Sequence, residues 1–289
     1  MRTTVDADWA ATIARKIRAS ELDIAVVLGF DGVYDQAGDL DPQLSQMIVP
    51  PSWVFAVCKR HPELLPGPSI NPFRRDALER LDECVEGGAV LLKWLPSTQR
   101  IDPSSPRLGE FYRRLAEAGL PLLVHSGGSE VTFAEVDSKL KDVRLLQAPL
   151  DAGVTVICAH SGAPSLVSRD RSQLPLLREM LIEHPNLWVD NSGMATPSRF
   201  KHLPRLALDS VFQERTLYGS DYPVPSNAIF YPRRLGRQTV VRLERERNLF
   251  QRDIGIKRAL GYPDSTLTVA NRVLPNIERW NGDLGTGNR

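Results

Sequence analysis

The 289-residue chain carries 36 Lys and Arg against 35 Asp and Glu, a formal net charge of +1, with 42% hydrophobic and 25% charged residues. Such a composition excludes collagen-like, coiled-coil and wholly disordered chains, and argues against a dedicated polyanion binder.

The chain opens on an amphipathic helix, with Trp9, Ile13 and Ile17 at i, i+4, i+8 spacing. Seven short apolar runs follow: Leu22–Phe30, Trp53–Cys58, Ala89–Leu95, Pro121–His125, Val154–His160, Leu187–Asp190 and Thr216–Asp221. Their starts lie 29 to 36 residues apart. Helical spacing fills most intervals, as in Ala77, Leu78, Leu81, Cys84 and Val85, or Phe111, Leu115 and Ala118 before Gly119. Runs that are continuously apolar, alternating with helices, predict parallel βαβ units. Seven of them favour a (β/α)8-type TIM barrel over an open doubly wound sheet, and no Gly-x-Gly-x-x-Gly turn follows the first run. Because such a barrel has eight strands and the chain starts with a helix, the first strand is expected to be absent. The barrel is expected over about 1–222 and a helical extension over about 223–289, together forming one domain.

Residues 233–258 hold nine Lys and Arg and three Asp and Glu, a local +6. Without interleaved aromatic residues this predicts a solvated basic helix rather than a nucleic-acid surface. Cys58, Cys84 and Cys158 lack metal-like spacing and read as buried thiols of a reducing compartment. With no secretory signal and no run near the ~18 apolar residues of a membrane helix, a cytoplasmic protein free of membrane and nucleic-acid partners is expected.

In a parallel barrel the site lies at the carboxyl ends of the strands. Near their ends the runs carry Asp31, Cys58-Lys59, Lys93, His125, His160, Asp190 and Asp221, and six of the seven close with an ionisable residue at or next to the last position. His125 and His160 each follow an apolar run and precede Ser-Gly. With Asp221 they offer two nitrogens and an oxygen, a set suited to Zn²⁺ or a similar divalent ion; singly, each is better explained as a hydrogen-bonded strand end. Lys93 interrupts a buried run and requires a partner, either a neighbouring carboxylate, or an anionic substrate or a metal-bridging carbamate. Asp31 and Asp190 are read as helix caps or as groups orienting a ligand or histidine. His61 and His184, in His-Pro, are assigned to helix-ending turns, and His202 to a basic helical segment. No Gly-x-Ser-x-Gly elbow or P-loop is present.

Gly-Ala-Val-Leu-Leu-Lys-Trp-Leu-Pro, Gly-Leu-Pro-Leu-Leu-Val-His-Ser-Gly, Val-Ile-Cys-Ala-His-Ser-Gly, Leu-Tyr-Gly-Ser-Asp-Tyr-Pro and Val-Ala-Asn-Arg-Val-Leu occur in this order. In these segments the sequence resembles the metal-dependent amidohydrolase superfamily, in its amidohydrolase-related branch of decarboxylases, lactonases and hydratases. The resemblance spans about Leu22 to Leu274. It implies His125 and Asp221 as metal ligands, and His160 with Asp221 as catalytic groups. The implied cofactor is one divalent ion, Zn or alternatively Mn. The family's Asp-x-His-x-His on the first strand has no counterpart here, which coincides with the strand missing from the count; a chain that begins late is the favoured explanation, a metal-poor relative the other. The expected activity is hydrolysis of a small anionic carbonyl or carboxylate compound by metal-activated water, with Lys93 on the substrate. Decarboxylation of an aromatic or unsaturated acid, or a non-catalytic ligand-binding barrel, are the alternatives. A homodimer is left open.

Overall fold

Leucine- and valine-rich runs form the strands here, and the amphipathic segments between them pack outside. The computed structural model describes residues 5–129, 132–168 and 170–281. Strand β1 (Ala25–Leu28) is followed by a small antiparallel hairpin, β2 (Val33–Tyr34) and β3 (Leu40–Asp41). Next comes β4 (Leu64–Gly67), parallel to β1. Strands β5 (Leu92–Trp94), β6 (Leu122–Val124), β7 (Val156–Cys158), β8 (Leu187–Asp190) and β9 (Thr216–Leu217) form one sheet in sequential order, every neighbouring pair parallel. Backbone bonds from Val90 to Pro66 O and from Lys93 to Pro68 O, each 2.9 Å, join β5 to β4. Among the described residues, seven strands thus run in the order β1-β4-β5-β6-β7-β8-β9.

Register decides which side chains meet. Lys93, Leu123, Ile157 and Trp188 stand opposite one another across β5 to β8. Successive side chains alternate between faces, so Leu91, Leu123, Ile157, Trp188 and Leu217 form the inner cluster, while Leu92, Leu122, Val156 and Leu187 meet the helices. Lys93, His125 and Asp190 share the inner parity, near the strands' carboxyl ends.

The run Trp53–Cys58 is not a strand. It lies in the helix Pro51–Arg60, with Pro51 in the first turn and Val54, Val57 and Cys58 buried on one face. The proline pre-sets the helical φ where no amide partner is needed, and the i, i+3, i+4 burial is a helix stripe. The strand at this point of the fold is β4, in Leu-Leu-Pro-Gly-Pro, whose prolines disguise it. Cys58-Lys59 therefore leaves the set of strand ends. Val5–Arg18 is helical and buries Ile13 and Ile17 of the predicted stripe, while Trp9 is 36% exposed.

Every residue of β4 through β9 is buried, but β1 is not, and Leu28 is 41% exposed. Strand β1 pairs only with β4 and β9 only with β8 among the described residues. A cavity of about 1510 Å³ is lined from within by Leu123 and Ile157 and from the helix layer by Trp9, Ile13 and Phe250. Its walls include Ala25–Gly29 and Leu217–Tyr222. Among the described residues no strand joins β1 to β9, and the cavity walls include residues of both.

Candidate active site

Three consecutive strands end in the same short pattern: His125-Ser126-Gly127 after β6, His160-Ser161-Gly162 after β7, and Asn191-Ser192-Gly193 after β8. All three glycines are left-handed, at φ 86°, 60° and 59°. A β-carbon on Gly127 would meet Gly162 O at 2.4 Å, so the first two turns touch through their backbones. Glycine is required there for space as well as for φ.

The His125 imidazole is buried, with Nε2 3.1 Å from Gly128 O. A carbonyl only accepts, so this nitrogen carries the proton. His160 (φ 53°) and Ser161 (φ 51°) are both left-handed, a strain of order 1–3 kcal/mol each that the surroundings must hold. The holding group is Asp190: its Oδ1 accepts the His160 amide at 2.8 Å, and its backbone oxygen accepts the Ser161 hydroxyl at 2.7 Å. Asp190 therefore orients a histidine, one of the two roles read from sequence.

His160 Nδ1 lies 2.8 Å from Ser192 O and 2.9 Å from Ser192 Oγ, and that hydroxyl donates to Asp190 Oδ1 at 2.5 Å. The proton therefore resides on Nδ1, which leaves the lone pair on Nε2. Burial, then the charges of Arg199, His125 and Lys93, hold the His160 pKa well below the ordinary histidine range. The two imidazoles meet edge to face, with ring centroids 4.9 Å apart.

Asp221 is left-handed as well, at φ 61°, and its carboxylate reaches over Gly193. A β-carbon on Gly193 would lie 2.6 Å from Asp221 Oδ2 and 3.3 Å from His160 Nδ1. A side chain at position 193 would separate the two groups that glycine lets converge. Lys93, His125, His160, Asp190, Arg199 and Asp221 all line the same cavity. Lys93 and Arg199 are buried there, Arg199 donating to Ala163 O and Ser129 O.

Asp31 stands apart. Its carboxylate accepts from the Gly32 and Asn71 amides, the Tyr34 hydroxyl and Arg74, tying β1 to the segment after β4. It caps no helix and does not line the cavity. His61 and His184 end helices, as their His-Pro context predicts. Burial alone raises the Cys58 thiol to about 12, as expected of an inert core cysteine. Sequence reasoning missed Ser192 and Arg199. The third Ser-Gly turn was a signal for Ser192; Arg199 reaches the cavity from a long loop, which no local pattern reveals.

The donor set does not fit a divalent ion. Among the described residues no three His, Cys, Asp or Glu side chains form a metal-binding group.

Parallel strands with outer helices, and a cavity at their carboxyl ends lined in part by ionisable side chains, define an α/β protein of the TIM-barrel class. A family model for amidohydrolases matches residues 27–249, and the chain belongs to that family, whose members are typically metal-dependent. Among solved structures it is similar to an uncharacterised TIM-barrel protein from Bordetella bronchiseptica (17% identity, 95% of this chain and 83% of that one, TM-score 0.59). It is similar to a protein assigned as a 2-pyrone-4,6-dicarboxylic acid hydrolase from Pseudomonas putida (16%, 92% and 87%, TM-score 0.58). A third is 2,6-dihydroxybenzoate decarboxylase from Rhizobium (14%, 95% and 88%, TM-score 0.56). At these identities the likeness is one of fold. A search of curated proteins finds no match. No described helix is long and apolar enough to cross a membrane.

Proposed function

We propose that the chain hydrolyses a small anionic carbonyl compound, an ester or lactone bearing a carboxylate, in the cavity at the ends of β5 to β9. The observation that carries this reading is His160: buried, with Nδ1–H turned to Ser192, beside the cations Lys93 and Arg199. A neutral imidazole with its lone pair on Nε2 is a general base at neutral pH. In this reading His160 takes a proton from water as its oxygen adds to the substrate carbonyl. Asp221 accepts a hydrogen bond from the water's other O–H and so orients it, taking no proton. The carbonyl–oxygen bond to the leaving group then breaks, and the proton passes from His160 to the departing alkoxide. Lys93 binds the substrate's anionic group, the role given it from sequence.

No step is routed through a metal, because the described donors do not assemble a site for one. The buried cations also suit the carboxylate of an aromatic acid, which supports decarboxylation as the second reading. The test is a panel of carboxylated lactones and hydroxybenzoates given to the purified chain and to His160→Ala and Lys93→Met. Ring opening of a lactone that His160→Ala abolishes supports hydrolysis. Carbon dioxide release from the acids would instead favour the second reading, and turnover untouched by either substitution overturns the site.

A further inference from the structure

Asp221 sits on a turn whose backbone is left-handed and whose side chain is exposed, and a neighbouring helix helps to fix that turn. The helix Leu249–Ala259 does so from one face. Phe250, Asp253 and Lys257 are spaced i, i+3, i+7 and therefore share a stripe. Each contacts the 219–226 segment at a different point. The Phe250 ring stacks on Tyr222, centroids 5.0 Å apart. Asp253 Oδ1 accepts the Ser226 hydroxyl. Lys257 Nζ donates to Gly219 O at 2.6 Å and lies 4.6 Å from the centre of the Tyr218 ring. Asp253 and Lys257 also pair with each other at 2.5 Å, with side chains 2% and 3% exposed.

We infer that the buried Asp253–Lys257 pair positions Asp221, holding both ends of its turn so that the carboxylate stays over Gly193 beside His160. A buried ion pair is weak evidence of stabilisation, since apolar residues of similar volume often serve as well. Here Asp253 also accepts from Ser226 and Lys257 also donates to Gly219 O, so the pair makes one contact at each end of the same turn. The inference rests on the proposed role of Asp221.

Single substitutions leave one buried charge unpaired and can prevent folding, so the decisive variant is the double replacement Asp253→Leu/Lys257→Met. It is expected to melt cooperatively. Amide exchange over 219–226 is expected to accelerate about tenfold or more, with β7 and β8 unchanged. On a substrate found in the panel, kcat is expected to fall about tenfold or more while KM holds within about twofold. Adding Asp221→Asn to the double variant is expected to cost nothing beyond Asp221→Asn alone. Faster exchange spread equally through β7 and β8, or losses that multiply with Asp221→Asn, would overturn the positioning role. Turnover indifferent to Asp221→Asn would refute Asp221's function and this inference with it. The loop-exchange data separate that outcome from failure of the clamp.

Discussion

His160 Nδ1 lies 2.8 Å from the main-chain oxygen of Ser192 and 2.9 Å from its hydroxyl, a contact between the turns after β7 and β8. It fixes which nitrogen holds the proton, and burial beside Arg199, His125 and Lys93 then keeps the ring neutral. Nitrogen-15 NMR of histidine-labelled protein at pH 7 should show one neutral imidazole protonated on Nδ1. A ring protonated on Nε2, or charged at that pH, would refute the assignment.

The same lowered pKa sets a pH dependence. The unfolded chain binds a proton at His160 near its ordinary value of about 6.5, while the folded chain resists it. As pH falls below that value the unfolded state gains protons first, so the stability contributed by neutral His160 is present above it and declines toward the folded pKa. Urea midpoints should fall between about pH 7 and pH 5, and the fall should shrink in His160→Gln. An equal slope in that variant would assign the effect elsewhere.

Gly127→Ala tests the contact between the first two Ser-Gly turns. Its β-carbon would sit 2.4 Å from Gly162 O at a left-handed φ of 86°, so relief requires moving backbone. A loss of about 2 kcal/mol or more is expected in urea unfolding. Gly109→Ala, where a β-carbon would have nothing within 4 Å, is the control and should cost little.

Legibility followed how local each feature was. His125, His160 and Asp221 were visible because each ends an apolar run, and the parity of parallel strands carries such ends to one cavity. Trp53–Cys58 misled because a helix buried on one face can look like a strand over six residues; the preceding Pro50-Pro51 was the cue to a helix start. Strand β4 was hidden by prolines that its pairing with β1 tolerates. Arg199 reaches the cavity from a long loop, and Lys257 reaches the Gly219 carbonyl from a helix after the last strand, contacts of tertiary structure that no spacing in the sequence encodes.

Lys93→Met removes an ammonium from the cavity while keeping an apolar stem of similar length. Loss of a hydrogen bond to a charged group, worth roughly 1.5–3 kcal/mol, should raise KM or Kd for a carboxylated ligand about ten- to a hundredfold. Uncharged analogues of the same shape should bind almost equally to both forms. Isothermal titration with such a pair measures the difference, and parallel losses for charged and neutral ligands would mean that Lys93 shapes the cavity rather than reads charge.

The last prediction concerns metal. Tetrahedral zinc sites use about three protein donors plus water, and among the described residues no such trio assembles around His125 and Asp221. The chain should therefore take up zinc weakly, with well under one ion per molecule after dialysis against micromolar metal. The breach left between β1 and β9 among the described residues is where donors could be added, because the cavity walls include residues of both strands. A form carrying an additional N-terminal strand with Asp-x-His-x-His should fill that breach and hold about one ion. In that form His125→Ala and Asp221→Ala should lose the metal, while His160→Ala should keep most of it. Elemental analysis of the two forms and these variants decides the matter: a fully loaded 289-residue chain would show that its own donors suffice, and an extended form without metal would show that the breach does not accept the strand.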